Sequence, residues 1–166
     1  MGSHCELSYQ METPRFHENN SFLALAAPDM RRRSKLRFRL RAEGPDGLVL
    51  RVARQDGSSA SDYAALVLSG GYLTFTFNLG TGPGTDTVIR SHRRLNIGHW
   101  EVVEAGRKDR DGYLIVGGVS TSGQASRGMV ALDTDTPIFL GKMTRSLLNT
   151  QFAKTCQTLK KMYKLI

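Results

Sequence analysis

The chain predicts an all-β fold of the antiparallel sandwich kind, and three features carry that expectation. Apolar and polar residues alternate with a period of two in one stretch after another, as they do where one face of a strand is buried and the other is wet. No sustained helical period occurs before residue 144. Turn signals rich in Gly, Asp, Ser and Pro (PDG, DGSSASD, SGG, GTGPGTD, NIG, DRDG and TSGQ) separate the alternating runs at the spacing of a sandwich.

The elements follow in order. SFLALAA (21–27) is a short apolar strand, and KLRFRLRA (35–42) sets Leu36, Phe38 and Leu40 against Lys35, Arg37, Arg39 and Arg41 in strict alternation. GLVLRVAR (47–54) comes after the PDG turn. YAALVLS (63–69) and YLTFTFNL (72–79) flank SGG and predict a hairpin, with Leu73, Phe75 and Phe77 buried opposite Thr74, Thr76 and Asn78. TVIRS (87–91), HWEVVEAGR (99–107), YLIVGG (113–118), GMVALD (128–133) and PIFLG (137–141) complete the set, with Trp100 expected in the core. The stretch from 144 to 166 differs: five cations, no acid, and Leu148, Phe152, Leu159, Met162 and Ile166 loosely at helical intervals. It reads as a basic tail, either an amphipathic helix or a segment outside the core.

With 166 residues and 40% hydrophobic content, one well-packed domain is expected. No apolar run approaches the roughly 20 residues of a membrane span, so no membrane insertion is expected. The opening MGSHCELSYQ lacks the apolar core of a signal peptide and reads as a tag or the remnant of a larger protein. Cys5 and Cys156 form no metal-ligand spacing; a bridge, orphaned half-cystines or free thiols all remain open. No HExxH, GxSxG or phosphate-loop pattern is present, and His92 and His99 have no evident acid or nucleophile partner, which argues against an enzyme.

The charge is the informative feature. Twenty-three Lys and Arg oppose 15 Asp and Glu, for a net +8. Between Arg31 and Arg54 lie nine cations (Arg31, Arg32, Arg33, Lys35, Arg37, Arg39, Arg41, Arg51, Arg54) and two acids, Glu43 and Asp46. If Leu36, Phe38 and Leu40 face the core, the alternate cations project outward about 7 Å apart, two residues of strand rise. Such a ladder suits sulfate and carboxylate groups, which the planar guanidinium can bond twice. Arg51 is expected beside the ladder on an adjacent strand, and Arg90, Arg93 and Arg94 form a second cluster. The competing reading is that strand cations only prevent edge-to-edge pairing. Nucleic acid is a weaker polyanion candidate, because no recognition helix, zinc spacing or aromatic RNA-binding strand is found, and none is expected as a partner.

Taken in sequence, SFLALAAP, LRFRLRAEGPDGLVLRV, SDYAALVLSGGYLTFTFNLGTGPG, LNIGHWEVV, DGYLIVGG and ALDTDTPIFLGK resemble a laminin G-like domain, of the kind found in agrin, perlecan, laminin α chains and neurexins. The resemblance covers about Phe16 to Lys142. It departs from the family at Glu101, where a His is usual, at Val116–Gly118, where VDG is usual, and after Gly141.

The resemblance implies a jelly-roll-like β-sandwich from an extracellular matrix or cell-surface protein. It divides the chain into a leader over 1–15, a laminin G-like domain over 16–143 and an atypical tail over 144–166, with Cys5 and Glu6 similar to the end of an epidermal-growth-factor-like module. It also implies a calcium ion held by the side chains of Asp62 and Asp133 and the carbonyls of Leu79 and Ala131, with Asp86 and Asp135 as weaker candidates. Without it, Asp62 and Asp133 read as ordinary turn acids. The implied partners are sulfated or acidic glycans, heparan sulfate and the glycan of dystroglycan among them. The ladder (Arg31, Arg32, Arg33, Lys35, Arg37, Arg39, Arg41, Arg51) and the second cluster supply the attraction. A protein-adhesion role at the cell surface is the alternative. Asn19 begins an N-x-S sequon and is a glycosylation candidate.

Overall fold

The computed structural model describes residues 14–16, 21–55 and 61–141. Ten strands run through them: β1 (Phe22–Leu25), β2 (Arg33–Arg41), β3 (Gly47–Ala53), β4 (Tyr63–Ser69), β5 (Tyr72–Asn78), β6 (Thr87–Arg94), β7 (Trp100–Lys108), β8 (Asp111–Val116), β9 (Val119–Gln124) and β10 (Ile138–Gly141). A six-stranded sheet has the order β1-β10-β3-β4-β5-β6, and a four-stranded sheet the order β2-β7-β8-β9. Each pairing is antiparallel. The fold is therefore the expected all-β sandwich.

Alternation dictates which side chains meet between the sheets. Leu66, Leu73, Phe75, Phe77 and Ile89 from one sheet pack in a single core with Val103, Ala105, Leu114 and Val116 from the other. Leu73, Phe77, Val103 and Leu114 have no exposed surface at all. On β2 exposure alternates along its whole length, so Leu36, Phe38 and Leu40 pack against the core and the cations face out, as predicted.

Three expectations are corrected. GMVALD (128–133) is a loop, because its backbone groups go to other loops instead of a ladder: the Leu132 N–H donates to Arg31 O at 2.8 Å, and the Asp133 N–H donates to Asp62 Oδ2 at 2.6 Å. In its place the polar segment VSTSGQ forms β9. Its hairpin turn is Gly117–Gly118, with φ of +56° and +84°, the two positive values that a two-residue type I′ turn needs. Reading those glycines as strand, and TSGQ as turn, hid an edge strand with no large apolar residue after Val119. Trp100 is not in the core: it is 44% exposed, because the positions of β7 that face inward are Val103, Ala105 and Arg107. Cys5, Asn19, Cys156 and the stretch 144–166 lie outside the described residues.

Candidate functional site

β2 is an edge strand, and its pairing with β7 defines what surrounds the cations. In register, Arg33 faces Lys108, Lys35 faces Gly106, Arg37 faces Glu104, Arg39 faces Val102 and Arg41 faces Trp100. Lys35 pairs with Glu104 at 3.2 Å, and Arg41 lies 3.6 Å from Glu43, which also takes Arg15. Arg39 stands over the Trp100 ring, 5.4 Å from its centroid. Arg33, Arg37 and Lys108 have no acid partner among the described residues. Exposed ion pairs are worth about 0–1 kcal/mol each, so the paired cations can exchange their acids for an external anion at small cost.

The end of the ladder is hollowed. Arg33, Ser34, Lys35, Arg107, Lys108 and Tyr113 line a shallow depression of about 340 Å³. Gly106 lies against two of these residues: a Cβ there would collide with Ser34 O and lie 2.7 Å from the Tyr113 hydroxyl. Lys108 escaped sequence reasoning, since only the β2–β7 register reveals that it extends the ladder sideways.

The other expected cations lie elsewhere. Arg51 is on β3 in the opposite sheet, over the Tyr63 ring at 5.6 Å, so it does not adjoin β2. Arg90 and Arg94 sit over Tyr72, at 3.8 and 5.4 Å, on the outward face of the six-stranded sheet, which points away from the ladder. Arg93 is locked in a two-pronged bond to Glu101, both distances 2.9 Å. Arg93 holds the Glu101 carboxyl below its usual range. At the family's usual His position this chain thus places an acid that ties β6 to β7.

A second constellation lies on one rim of the sandwich. Tyr63 pairs with Asn78, so Asp62 just before β4 and Leu79 just after β5 leave the same end of the hairpin. The loop carrying Ala131 and Asp133 closes over them through the Asp133 N–H bond to Asp62 Oδ2. Burial pushes the Asp62 carboxyl up, with the charge of Asp133 adding to it, while the Asp133 N–H, Arg54 and Arg107 pull the other way. Asp133 Oδ1 meets Arg31 Nε at 2.7 Å. Beside this pair, Asp29, Arg31, Arg32, Val130 and Ala131 line an open depression of about 480 Å³. Arg32 itself pairs with Asp109 at 3.0 Å.

Arg107 holds this rim from inside. It is 2% exposed, and its guanidinium donates to the carbonyls of Asp109 (2.5 Å), Val130 (3.1 Å), Met30 (2.9 Å) and Arg31. Desolvation lowers its pKa, while Asp109 and Asp62 oppose the shift. No group of three or more His, Cys, Asp or Glu able to hold a metal occurs among the described residues. Asp62 and Asp133 bring two carboxylates to this rim, oxygen donors of the kind a hard cation takes and completes with water. Asp86 and Asp135 are otherwise engaged, accepting from Asn78 Nδ2 (2.9 Å) and the Gln55 N–H (2.8 Å).

Two antiparallel sheets packed face to face, with a cationic row on the outer face of the smaller one, define the class of β-sandwich. A model of the Laminin G domain matches residues 40–163, and the chain belongs to that family of extracellular binding modules. Protein eyes shut homolog of Danio rerio is 30% identical over 133 residues, covering 79% of this chain and 4% of that protein. The basement membrane-specific heparan sulfate proteoglycan core protein of Mus musculus is 31% identical over 148 residues, covering 88% of this chain and 4% of that protein. The chain thus spans a small fraction of these relatives. Among solved structures, the mouse laminin alpha1 chain, domains LG4-5, superposes with a TM-score of 0.66 at 22% identity, covering 79% of this chain and 35% of that one; the likeness is one of fold.

Proposed function

We propose that this module binds sulfated or acidic polysaccharide in the extracellular space through the outward face of β2 and β7, with heparan sulfate as the model ligand. The observation that carries the reading is the row Arg33, Lys35, Arg37, Arg39 and Arg41 on one outward face, joined by Lys108, with Arg33, Arg37 and Lys108 lacking acid partners among the described residues. Like charges directly opposite across a ladder, as at Arg33 and Lys108, are destabilising, which an anionic ligand would relieve.

Calcium is the proposed cofactor on the rim, held by Asp62, Asp133 and the carbonyls of Leu79 and Ala131. When bound, it supplies positive charge to receive a sugar carboxylate or neighbouring hydroxyls. Asp133, partly exposed, would present that charge at the surface with Asp62 buried behind it, and Arg107 keeps the two rim loops together. An acidic glycan such as that of dystroglycan fits this rim, while the ladder adds attraction that salt screens over about 8 Å at physiological ionic strength.

The test is heparin-column elution of an Arg33→Ser, Arg37→Ser, Lys108→Ser variant beside an Arg90→Ser, Arg94→Ser variant. The first should elute at clearly lower salt and the second near wild type. Equal shifts per charge removed would reduce the attraction to net charge and reject the ladder. A protein-adhesion reading draws on one observation, the exposed Trp100 and Val102 at 44% and 43% beside Arg39. It gains if Trp100→Ala abolishes capture of a protein partner while heparin elution stays unchanged.

A further inference from the structure

The rim already contains a cation. Arg31 Nε lies 2.7 Å from Asp133 Oδ1, and Asp133 is one of the two acids to which the proposed calcium site belongs. The backbone of Arg31 is fixed independently of its side chain. Its N–H donates to Asp29 Oδ1 at 3.0 Å, and its carbonyl accepts from the Leu132 N–H at 2.8 Å and from Arg107. The side chain is 65% exposed, and Asp133 is the acid it pairs with among the described residues. It borders the open depression lined by Asp29, Arg32, Val130 and Ala131. Two residues on, β2 begins with Arg33, the first rung of the cation row.

We infer that Arg31 is a resident counter-cation which calcium must displace from Asp133, and that the displaced guanidinium then serves the polyanion face at the end of β2. The inference rests on the calcium reading above. A carboxylate oxygen that accepts from a guanidinium cannot give the same lone pair to a metal, and a positive charge beside the ion raises its free energy further. Because the main chain of Arg31 is anchored, exchanging Asp133 from arginine to metal needs only rotation about side-chain bonds, so the two states share one backbone. Calcium occupancy and anion binding are then coupled with the same sign, and by linkage a polyanion tightens calcium as much as calcium tightens the polyanion.

The experiment is calorimetric titration of calcium into the whole chain as wild type, Arg31→Gln, Arg31→Ala and Arg32→Gln. Each variant is first melted in excess chelator to establish that it is folded, which the exposure of Arg31 favours. Loss of an exposed ion pair together with a neighbouring like charge should tighten calcium by roughly three- to tenfold in either Arg31 variant. Arg32→Gln removes an equal charge that is paired to Asp109, and should change affinity by less than about twofold, since screening weakens the remote term. In a parallel heparin-column run, the rise in elution salt on adding calcium should be smaller in Arg31→Gln than in wild type.

Calcium affinity in the Arg31 variants equal to wild type, or a change matched by Arg32→Gln, overturns the displacement while leaving the calcium site standing. Absence of binding in every variant at about 10 mM calcium, roughly ten times the dissociation constant of the weakest extracellular sites, overturns both. Binding by the Arg31 variants and not by wild type is the strongest support the titration can return.

Discussion

Replacing Arg107 by Met should test how the rim is held. The side chain bonds four carbonyls on three segments, but their fates differ when it is lost. Arg31 O keeps the Leu132 N–H, and Asp109 lies half-buried at a turn where water can reach it. Val130 is half-buried as well and borders the open depression, so water can reach its carbonyl, which leaves Met30 O as the acceptor orphaned in the interior. One orphaned buried acceptor costs about 1–3 kcal/mol, which is the gross loss. Against this stands relief of a desolvated charge whose Nε has no partner. Replacing buried charges by apolar groups is often neutral where the partner charge goes too, but here the partners are neutral carbonyls that stay behind. The net expectation is a loss of about 1–3 kcal/mol, or about 6 °C in melting temperature at the middle of that range for a domain of this size. Urea unfolding read by far-ultraviolet circular dichroism measures it, with an unchanged m-value as the sign that the same surface is exposed. Arg107→Lys keeps the charge but cannot span both loops, and should recover less than half of the loss. A loss below about 0.5 kcal/mol in Arg107→Met would refute the carbonyl clamp, since it lies under the cost of even one orphaned acceptor.

Other outcomes follow from the same geometry. Glu101→Gln should cost about 1 kcal/mol at neutral pH, discounted for the partial exposure of Arg93. Because Arg93 depresses the folded-state pKa of Glu101, that stability is present above the usual carboxylate range and is lost as pH falls through the lowered value. Thermal melts of wild type and variant should therefore converge in acid, and a constant gap would contradict the assignment. Phe77→Ala, at a position with no exposed surface, should lose about 3–5 kcal/mol in chemical unfolding. Calcium at ten times its dissociation constant should raise wild-type stability by about 1.4 kcal/mol over chelator, and Asp62→Ala, Asp133→Ala should abolish the rise. A rise that persists in that double variant places the ion elsewhere.

The fold was legible where alternation is strict and failed where it is ambiguous. KLRFRLRA and YLTFTFNL each offer one possible inward face, and the structure uses it. HWEVVEAGR offers apolar residues on both faces, and the wrong inference about Trp100 came from that ambiguity. VSTSGQ forms a strand because Gly117–Gly118 returns the chain beside β8; its own residues carry no apolar alternation. The site divides similarly. The outward row on β2 follows from a period of two, whereas Lys108 and Trp100 join it only through register. Asp62 and Asp133 lie 71 positions apart, and only the likeness to a family suggested pairing them. Nothing in the alternation distinguished Arg107, on an inward position of β7, from its exposed neighbour Lys108.

The central claim is that the outward face of β2 and β7 is the polyanion surface. Amide and side-chain chemical shifts during titration with a short heparin oligosaccharide test it most directly, residue by residue. The account predicts shifts concentrated on Arg33 to Arg41, Lys108 and the Trp100 indole, fading as salt is raised. Shifts centred on Tyr72, Arg90 and Arg94, on the far face of the sandwich, would contradict it.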